Sequence, residues 1–177
     1  MADYYRLPLG DQAPELVSAV VEIPKESPNK YEYDPVLGVF KLDRTLYSPL
    51  HYPGDYGFLP RTLAEDGDAL DVLILTGHPT FTGCVVEARP IGALEMADDK
   101  GRDVKIIAVP VRNPRYEEYR DLFDVPNHTV RELEYFFRIY KELEGKQTDV
   151  GEWWRRRRAY DEIIACQERF DKSEKSA

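Results

Sequence analysis

Cysteine is nearly missing from this chain of 177 residues: Cys84 and Cys166 are the only two, far apart and in no CxxC pair. That spacing supplies neither a zinc ribbon nor a redox motif, and two lone thiols suit a reducing compartment. Histidine is scarce as well, and His51, His78 and His128 have no ligand spacing, so no histidine metal site is expected. Long apolar runs are absent. Val72–Leu75 and Ile106–Val109 are the longest, far short of the ~20 residues a membrane helix needs. Met1–Arg6 is polar and aromatic, with no basic segment leading into an apolar one, so no signal peptide is read and the expected location is cytoplasmic. Basic charge is in deficit, with 24 Lys and Arg against 33 Asp and Glu and a formal net charge of −9. A surface of that sign repels nucleic acid and anionic membranes, and neither is expected as a partner.

What is present describes an ordinary globular protein, 42% hydrophobic and 32% charged, with the length of one compact domain over residues 1–177. Short β-type segments fill the first two-thirds. Val17–Ile23 is β-branched and stops at Pro24, Tyr31–Tyr33 alternates, and Val39–Leu42 follows the turn signal Asp34–Gly38. Ser48–Pro60, dense in Pro, Gly and Tyr, reads as ordered loop. Asp71–Thr76, Cys84–Pro90 and Val104–Val111 read as further strands, a spacing that suits a small barrel or sandwich. The last third changes period. Thr129–Glu132 fits a capping box, after which Val130, Leu133, Phe136, Phe137, Tyr140 and Leu143 recur at helical spacing until Gly145. A second helix is expected from Trp153 or Trp154 to Phe170, with Tyr160, Ile163, Ile164 and Phe170 on one face and a frayed tail over about 171–177. The fold class is α+β, mainly β: a barrel core packed by two C-terminal helices.

The sharpest chemical feature is Asp66-Gly67-Asp68-Ala69-Leu70-Asp71, directly before the apolar strand Val72–Leu75. In an extended loop Asp66 and Asp68 point the same way, and Asp71 has the strand as a rigid base. Carboxylates so placed repel one another unless a cation joins them, and hard divalent cations prefer such oxygen ligands. An EF-hand loop does not fit, because Asp71 would stand at the required glycine and Gly77 at the bidentate glutamate. A second acidic group, Asp98, Asp99 and Asp103, surrounds Lys100-Gly101-Arg102, which reads as a hairpin tip. Asp103 opens its strand as Asp71 opens another, and Lys105 shares its face. Lys30 and Glu32 alternate on one strand, Arg44 closes the next, Tyr52 and Tyr56 lie in the loop, and Tyr140-Lys141 ends the first helix. Jointly these residues suit a polyphosphate, which needs metals on some oxygens, Lys and Arg on others, and a base for the attacking water. Arg155–Arg158 beside two tryptophans suggests a strand-binding surface, but acidic residues follow at Asp161, Glu162 and Glu168, and a solvated helix face with ion pairs is expected.

The order of these pieces resembles the soluble family I inorganic pyrophosphatases of compact bacterial type. It runs through Glu22-Ile23-Pro24, Lys30-Tyr31-Glu32, Asp43-Arg44, Tyr52–Gly57 and Asp66–Asp71, then Arg89–Gly92, Met96–Asp98, Asp103–Lys105, Phe136-Phe137 and Tyr140-Lys141. The resemblance implies a five-stranded OB-like barrel flanked by helices, several magnesium ions per site with manganese as a substitute, pyrophosphate as substrate, and a homohexamer. It implies metal ligands at Asp66, Asp71, Asp98 and Asp103, and Asp68 as the general base. Phosphoryl binding falls to Lys30, Arg44, Tyr56, Lys105, Tyr140 and Lys141, with Tyr56 also beside the chemistry. Glu22 and Glu32 would hold the waters around the metals. The chain departs from the family at Ala69, where Pro or Glu is usual, which bears on the stiffness of the loop. Other readings of the same residues are a metal-dependent phosphohydrolase or transferase for nucleotide diphosphates, or a non-enzymatic OB-like binding module.

Overall fold

The computed structural model describes residues 3–98 and 101–176. Five strands close a barrel: β1 (Val17–Ile23), β4 (Asp55–Phe58), β5 (Asp71–Ile74), β7 (Gly101–Pro110) and β6 (Val85–Asp98), with β6 pairing back onto β1. β5 and β7 run parallel, and the other barrel pairs are antiparallel. β2 (Asn29–Asp34) and β3 (Val39–Thr45) form a separate hairpin, whose turn is held by Asp34 accepting from the N–H groups of Val36 and Leu37 at 3.0 Å. β8 (Asp149–Arg155) adds to the outer part of β6, and the helices are α1 (Asn127–Ile139) and α2 (Arg156–Ser176).

Alternation along the strands sends successive side chains to opposite faces. Val72, Ile74, Ile106 and Ala108 join one buried cluster with Ala159, Ile163 and Cys166 of α2. Their neighbours Leu73, Ile107 and Val109 join a second, with Leu133, Phe136 and Phe137 of α1. The barrel wall is therefore apolar on both faces, each with its own helix.

Several expectations change. The stretch 48–60 contains a strand, β4, disguised by Gly57, whose added Cβ would lie 1.8 Å from the Val20 carbonyl oxygen. Glycine there reports a close backbone approach, not a loop. β6 continues past Pro90 to Asp98 across a register shift between Pro90 and Gly92. Its first part serves β1 and its later part β8, so the irregularity marks the change of partner. Trp153 and Trp154 lie on β8 opposite Leu94 and Ala93, and α2 begins only at Arg156. α2 also runs through the tail expected to fray, with Arg61 on Asp171 and Arg6 on Glu174, both at 3.0 Å. Its buried face is Ala159, Ile163 and Cys166, and Ile164 is exposed.

Thr129 does not cap α1. The helix starts two residues earlier behind Pro126, whose carbonyl takes the first helical hydrogen bond from Val130 at 3.2 Å. α1 ends at Ile139, and Gly145 at φ +73° instead closes the short 3₁₀ turn Glu142–Glu144, which leaves Leu143 exposed. The arginine run is solvated and paired: Arg155 with Asp121, Arg157 with Asp161, Arg158 with Glu152 and stacked 3.9 Å over Trp154. Asp99 and Lys100 of the expected hairpin tip lie outside the described residues.

Candidate active site

One cleft of about 340 Å³ gathers Glu22, Lys30, Glu32, Tyr56, Asp66, Asp68, Asp71, Asp98, Asp103, Lys105, Tyr140 and Lys141. Every site residue expected from sequence is there except Arg44. That arginine faces Lys30 across the β2–β3 hairpin, pairs with Asp43, and donates its Nε to Glu144 at 3.0 Å.

The Asp66–Asp71 segment is a turn, not an extended loop. Ala64 N–H donates to the Asp68 carbonyl at 2.7 Å, Gly67 N–H to the Ala64 carbonyl at 3.2 Å, and Gly67 takes φ +92°. Asp66 Oδ1 accepts the Asp68 N–H at 3.1 Å, so the two carboxylates share the cleft because a tight turn folds them toward it. Asp68 is exposed at the tip, where water reaches it. Ala69 leads the chain toward Leu70, whose N–H is held by the Thr62 hydroxyl at 2.9 Å. Ala69→Pro is expected to stabilise the fold by about 0.4–1 kcal/mol, by restricting the unfolded chain, with turnover little changed. A lowered midpoint of thermal melting, or lost metal affinity, would show that position 69 needs its N–H or another φ.

Parallel pairing of β5 with β7 sets Asp71 opposite Lys105. The buried Lys105 Nζ lies 2.5 Å from Asp71 Oδ2 and 2.8 Å from Asp103 Oδ1, and 5.6 Å from the Tyr56 ring centre. Burial opposes the ammonium, but Asp71, Tyr56 and Asp103 outweigh it and hold Lys105 well above its ordinary pKa. Burial raises the Asp103 carboxyl in spite of Lys105. Burial likewise keeps the Tyr56 phenol protonated, with Asp71 adding to the effect. Lys141 Nζ reaches Asp98 Oδ2 at 3.5 Å, and Lys30 pairs with Glu32.

Glu22 stands apart. Burial pushes its carboxyl up to about 8 from an ordinary 4.5, Asp71 and Glu32 add to the rise, and the Tyr33 N–H at 2.8 Å lowers it. A carboxyl raised on folding binds its proton more tightly in the native state. Its stabilisation is complete below pH 4.5 and is lost as pH climbs through about 8. In chelator, wild-type stability is expected to fall over that window relative to Glu22→Gln, which can keep the Tyr33 hydrogen bond. Parallel pH profiles of the denaturation midpoint for the two proteins would contradict this.

The cleft holds seven carboxylates against three ammonium groups. Among the described residues no three Asp, Glu, His or Cys side chains converge as a closed metal site. Asp71 and Asp103 instead share the Lys105 ammonium. An all-oxygen, strongly anionic donor set fits hard divalent cations, and it does not suit soft ones.

Sequence reasoning missed Tyr5 and Phe58 as lining residues, and took Tyr31 and Tyr33 only as an alternating pair. Tyr5 carries no local signal. It reaches the cleft from the N-terminal segment by ring contacts with Tyr33 and Phe58, at 5.2 and 4.7 Å between centroids.

The sequence model of the inorganic pyrophosphatase family matches residues 19–171. The chain is 49% identical to an inorganic pyrophosphatase of Thermus thermophilus, covering 96% of this chain and 99% of that one. It is 52% identical to an inorganic pyrophosphatase of Geobacillus stearothermophilus over 78% of this chain and 84% of the relative. The solved structure of the Thermus thermophilus inorganic pyrophosphatase superposes with a TM-score of 0.94 at 48% identity, over 96% of this chain and 99% of that one. With the family's sequence model matching most of its length and relatives of about half its residues in common, this chain, a five-stranded barrel with two C-terminal helices, belongs to the inorganic pyrophosphatase family.

Proposed function

We propose that the cleft hydrolyses inorganic pyrophosphate to two phosphates with several magnesium ions, manganese being a substitute. The observation that carries this reading is the meeting of seven carboxylates with Lys30, Lys105 and Lys141 in one small cleft. Asp66, Asp71, Asp98 and Asp103 are the side chains that would hold the metals, with Glu22 and Glu32 ordering the surrounding water. The ions, when bound, screen phosphoryl charge and make a water more acidic.

Asp68 takes the proton of the attacking water as its oxygen bonds to phosphorus and the bridging P–O bond breaks. Being exposed at a turn tip, it can exchange that proton with solvent afterwards. Lys30, Lys141 and Tyr140 bind the phosphoryl oxygens, and Tyr56, kept protonated by burial, donates a hydrogen bond to the leaving phosphate. Lys105 has a double part: it balances Asp71 and Asp103 in the absence of substrate, and its charge stays available for a phosphoryl oxygen. Arg44, held by Glu144 and Asp43, would bind substrate from the rim of the β2–β3 hairpin beside Lys30.

Two unpaired thiols, Cys84 and Cys166, support a cytoplasmic location, and no helix among the described residues is long and apolar enough to cross a membrane. A homohexamer is proposed on the resemblance to compact bacterial members, and analytical ultracentrifugation checks it. Pyrophosphate is expected to be turned over far faster than ATP or a nucleotide-sugar with magnesium, and a chelator to abolish turnover. Phosphate release from the three compounds, with and without magnesium, is the test. Comparable hydrolysis of ATP, or full activity in excess chelator, would overturn the assignment.

A further inference from the structure

Arg102 stands next to Asp103 on β7, but alternation turns its side chain away from the cleft, and it does not line it. Its guanidinium instead ties three separate elements together. Nε donates to Glu95 of β6 at 3.1 Å, and Nη1 donates to Glu65 at 3.1 Å, the residue before Asp66. Nη2 and Nη1 donate to the two oxygens of Glu162 on α2 at 2.8 and 3.3 Å. The guanidinium carbon lies 5.1 Å from the centre of the Trp154 ring. Every nitrogen of the planar fork is thus engaged, which a lysine cannot reproduce.

The partners define what this hub restrains. Glu65 opens the turn carrying Asp66 and Asp68, while Glu95 and Arg102 itself belong to the hairpin strands carrying Asp98 and Asp103. The two carboxylate-bearing segments are joined behind the cleft through one guanidinium. α2 anchors the segment that leads into this turn: Leu63 N–H donates to the Cys166 carbonyl at 3.0 Å, Arg169 Nη1 to the Leu63 carbonyl at 2.5 Å, and Arg61 pairs with Asp171 at 3.0 Å. Within the turn Gly67 has open space around it and position 69 is alanine, so packing and proline add no stiffness there.

We propose that Arg102, through Glu65, is a positioning residue that sets the spacing between the Asp66–Asp71 turn and the Asp98/Asp103 hairpin, and thereby the affinity of the cleft for divalent cations. This rests on the reading of those aspartates as metal ligands. Outer partners that orient ligands typically account for about 10–100-fold in metal affinity, and a brace acting through the backbone belongs at the lower end.

The test is calorimetric magnesium titration of the full chain, in the absence of substrate, for wild type, Glu65→Gln, Arg102→Ala, Arg102→Lys, the double variant Glu65→Gln/Arg102→Ala, and Asp71→Ala as reference. Denaturation midpoints are measured alongside. Glu65 is more than half exposed, with 53% of its side-chain surface free, so Glu65→Gln is expected to keep the wild-type midpoint yet weaken magnesium binding about 10-fold. Arg102→Ala and Arg102→Lys should weaken it as much or more, and the double variant should be no worse than Arg102→Ala alone. Dissociation constants within twofold of wild type for Glu65→Gln and both Arg102 variants, with Asp71→Ala strongly impaired, would overturn the brace and leave the metal site standing. Loss of affinity that is additive in the double variant would overturn it too, since the two residues would then act separately. Retention of magnesium by Asp71→Ala would instead remove the ligand reading, and the brace with it.

Discussion

Asp68→Asn is expected to lower turnover by roughly 10²–10⁴-fold, the usual cost of removing a positioned general base, while metal and pyrophosphate binding persist. Asparagine keeps the shape of the side chain and cannot take the water's proton. The turn itself should survive, because the hydrogen bonds that build it use the Asp68 backbone: its carbonyl accepts from Ala64, and its N–H donates to Asp66. Asp71→Ala should behave differently. Asp71 begins β5, faces Lys105 at 2.5 Å, and shares that ammonium with Asp103. Its removal leaves a buried lysine with one carboxylate and takes away a proposed metal ligand. Metal affinity and turnover should fall together. Steady-state kinetics with calorimetric metal titration separates the two outcomes. If Asp68→Asn lost metal as severely as Asp71→Ala, Asp68 would be a ligand and not the base.

The second large effect is expected at an uncharged position, Gly57 of β4. Gly57→Ala places a methyl group 1.8 Å from the Val20 carbonyl oxygen and 2.9 Å from its carbonyl carbon, where β4 pairs with β1. Both obstructing atoms are backbone, so no rotamer change relieves the contact and the strands must separate. Ordinary overpacking costs about 1–3 kcal/mol, and a clash with paired backbone belongs at or above the top of that range. The neighbouring residue is Tyr56, which lines the cleft, so turnover should drop in whatever fraction remains folded. Urea denaturation gives the first quantity and pyrophosphate hydrolysis the second. A variant with the wild-type midpoint would mean that β1 and β4 approach less closely than 1.8 Å implies.

Much of this protein was already written in local pattern. β-Branched residues ending at Pro24 mark Val17–Ile23, now β1 with identical bounds, and the Asp34–Gly38 turn joins β2 to β3 as expected. Helical spacing selects Leu133, Phe136, Phe137 and Tyr140, all buried. The acidic motif is legible for a similar reason: carboxylates concentrated at strand entrances repel one another, and chemistry has few uses for that arrangement besides cations. Order and spacing of short pieces then sufficed for family resemblance. What local pattern does not carry is the partner of each face. The Trp153-Trp154 pair suits a helix or a strand equally, and only the open edge of β6 makes it β8. Gly57 looks like loop until Val20 is placed against it. Lys105 lies 34 residues from Asp71, and a parallel pairing had to form before the two could meet in the buried wall of the cleft. Arg102 shows the same limit most fully, because its partners Glu65, Glu95 and Glu162 come from three elements, and it reads in the sequence as one charge in a hairpin. Periodicity records which side of an element avoids water. Long-range pairing, with its cost in chain entropy and its reward in burial, decides what stands on the other side.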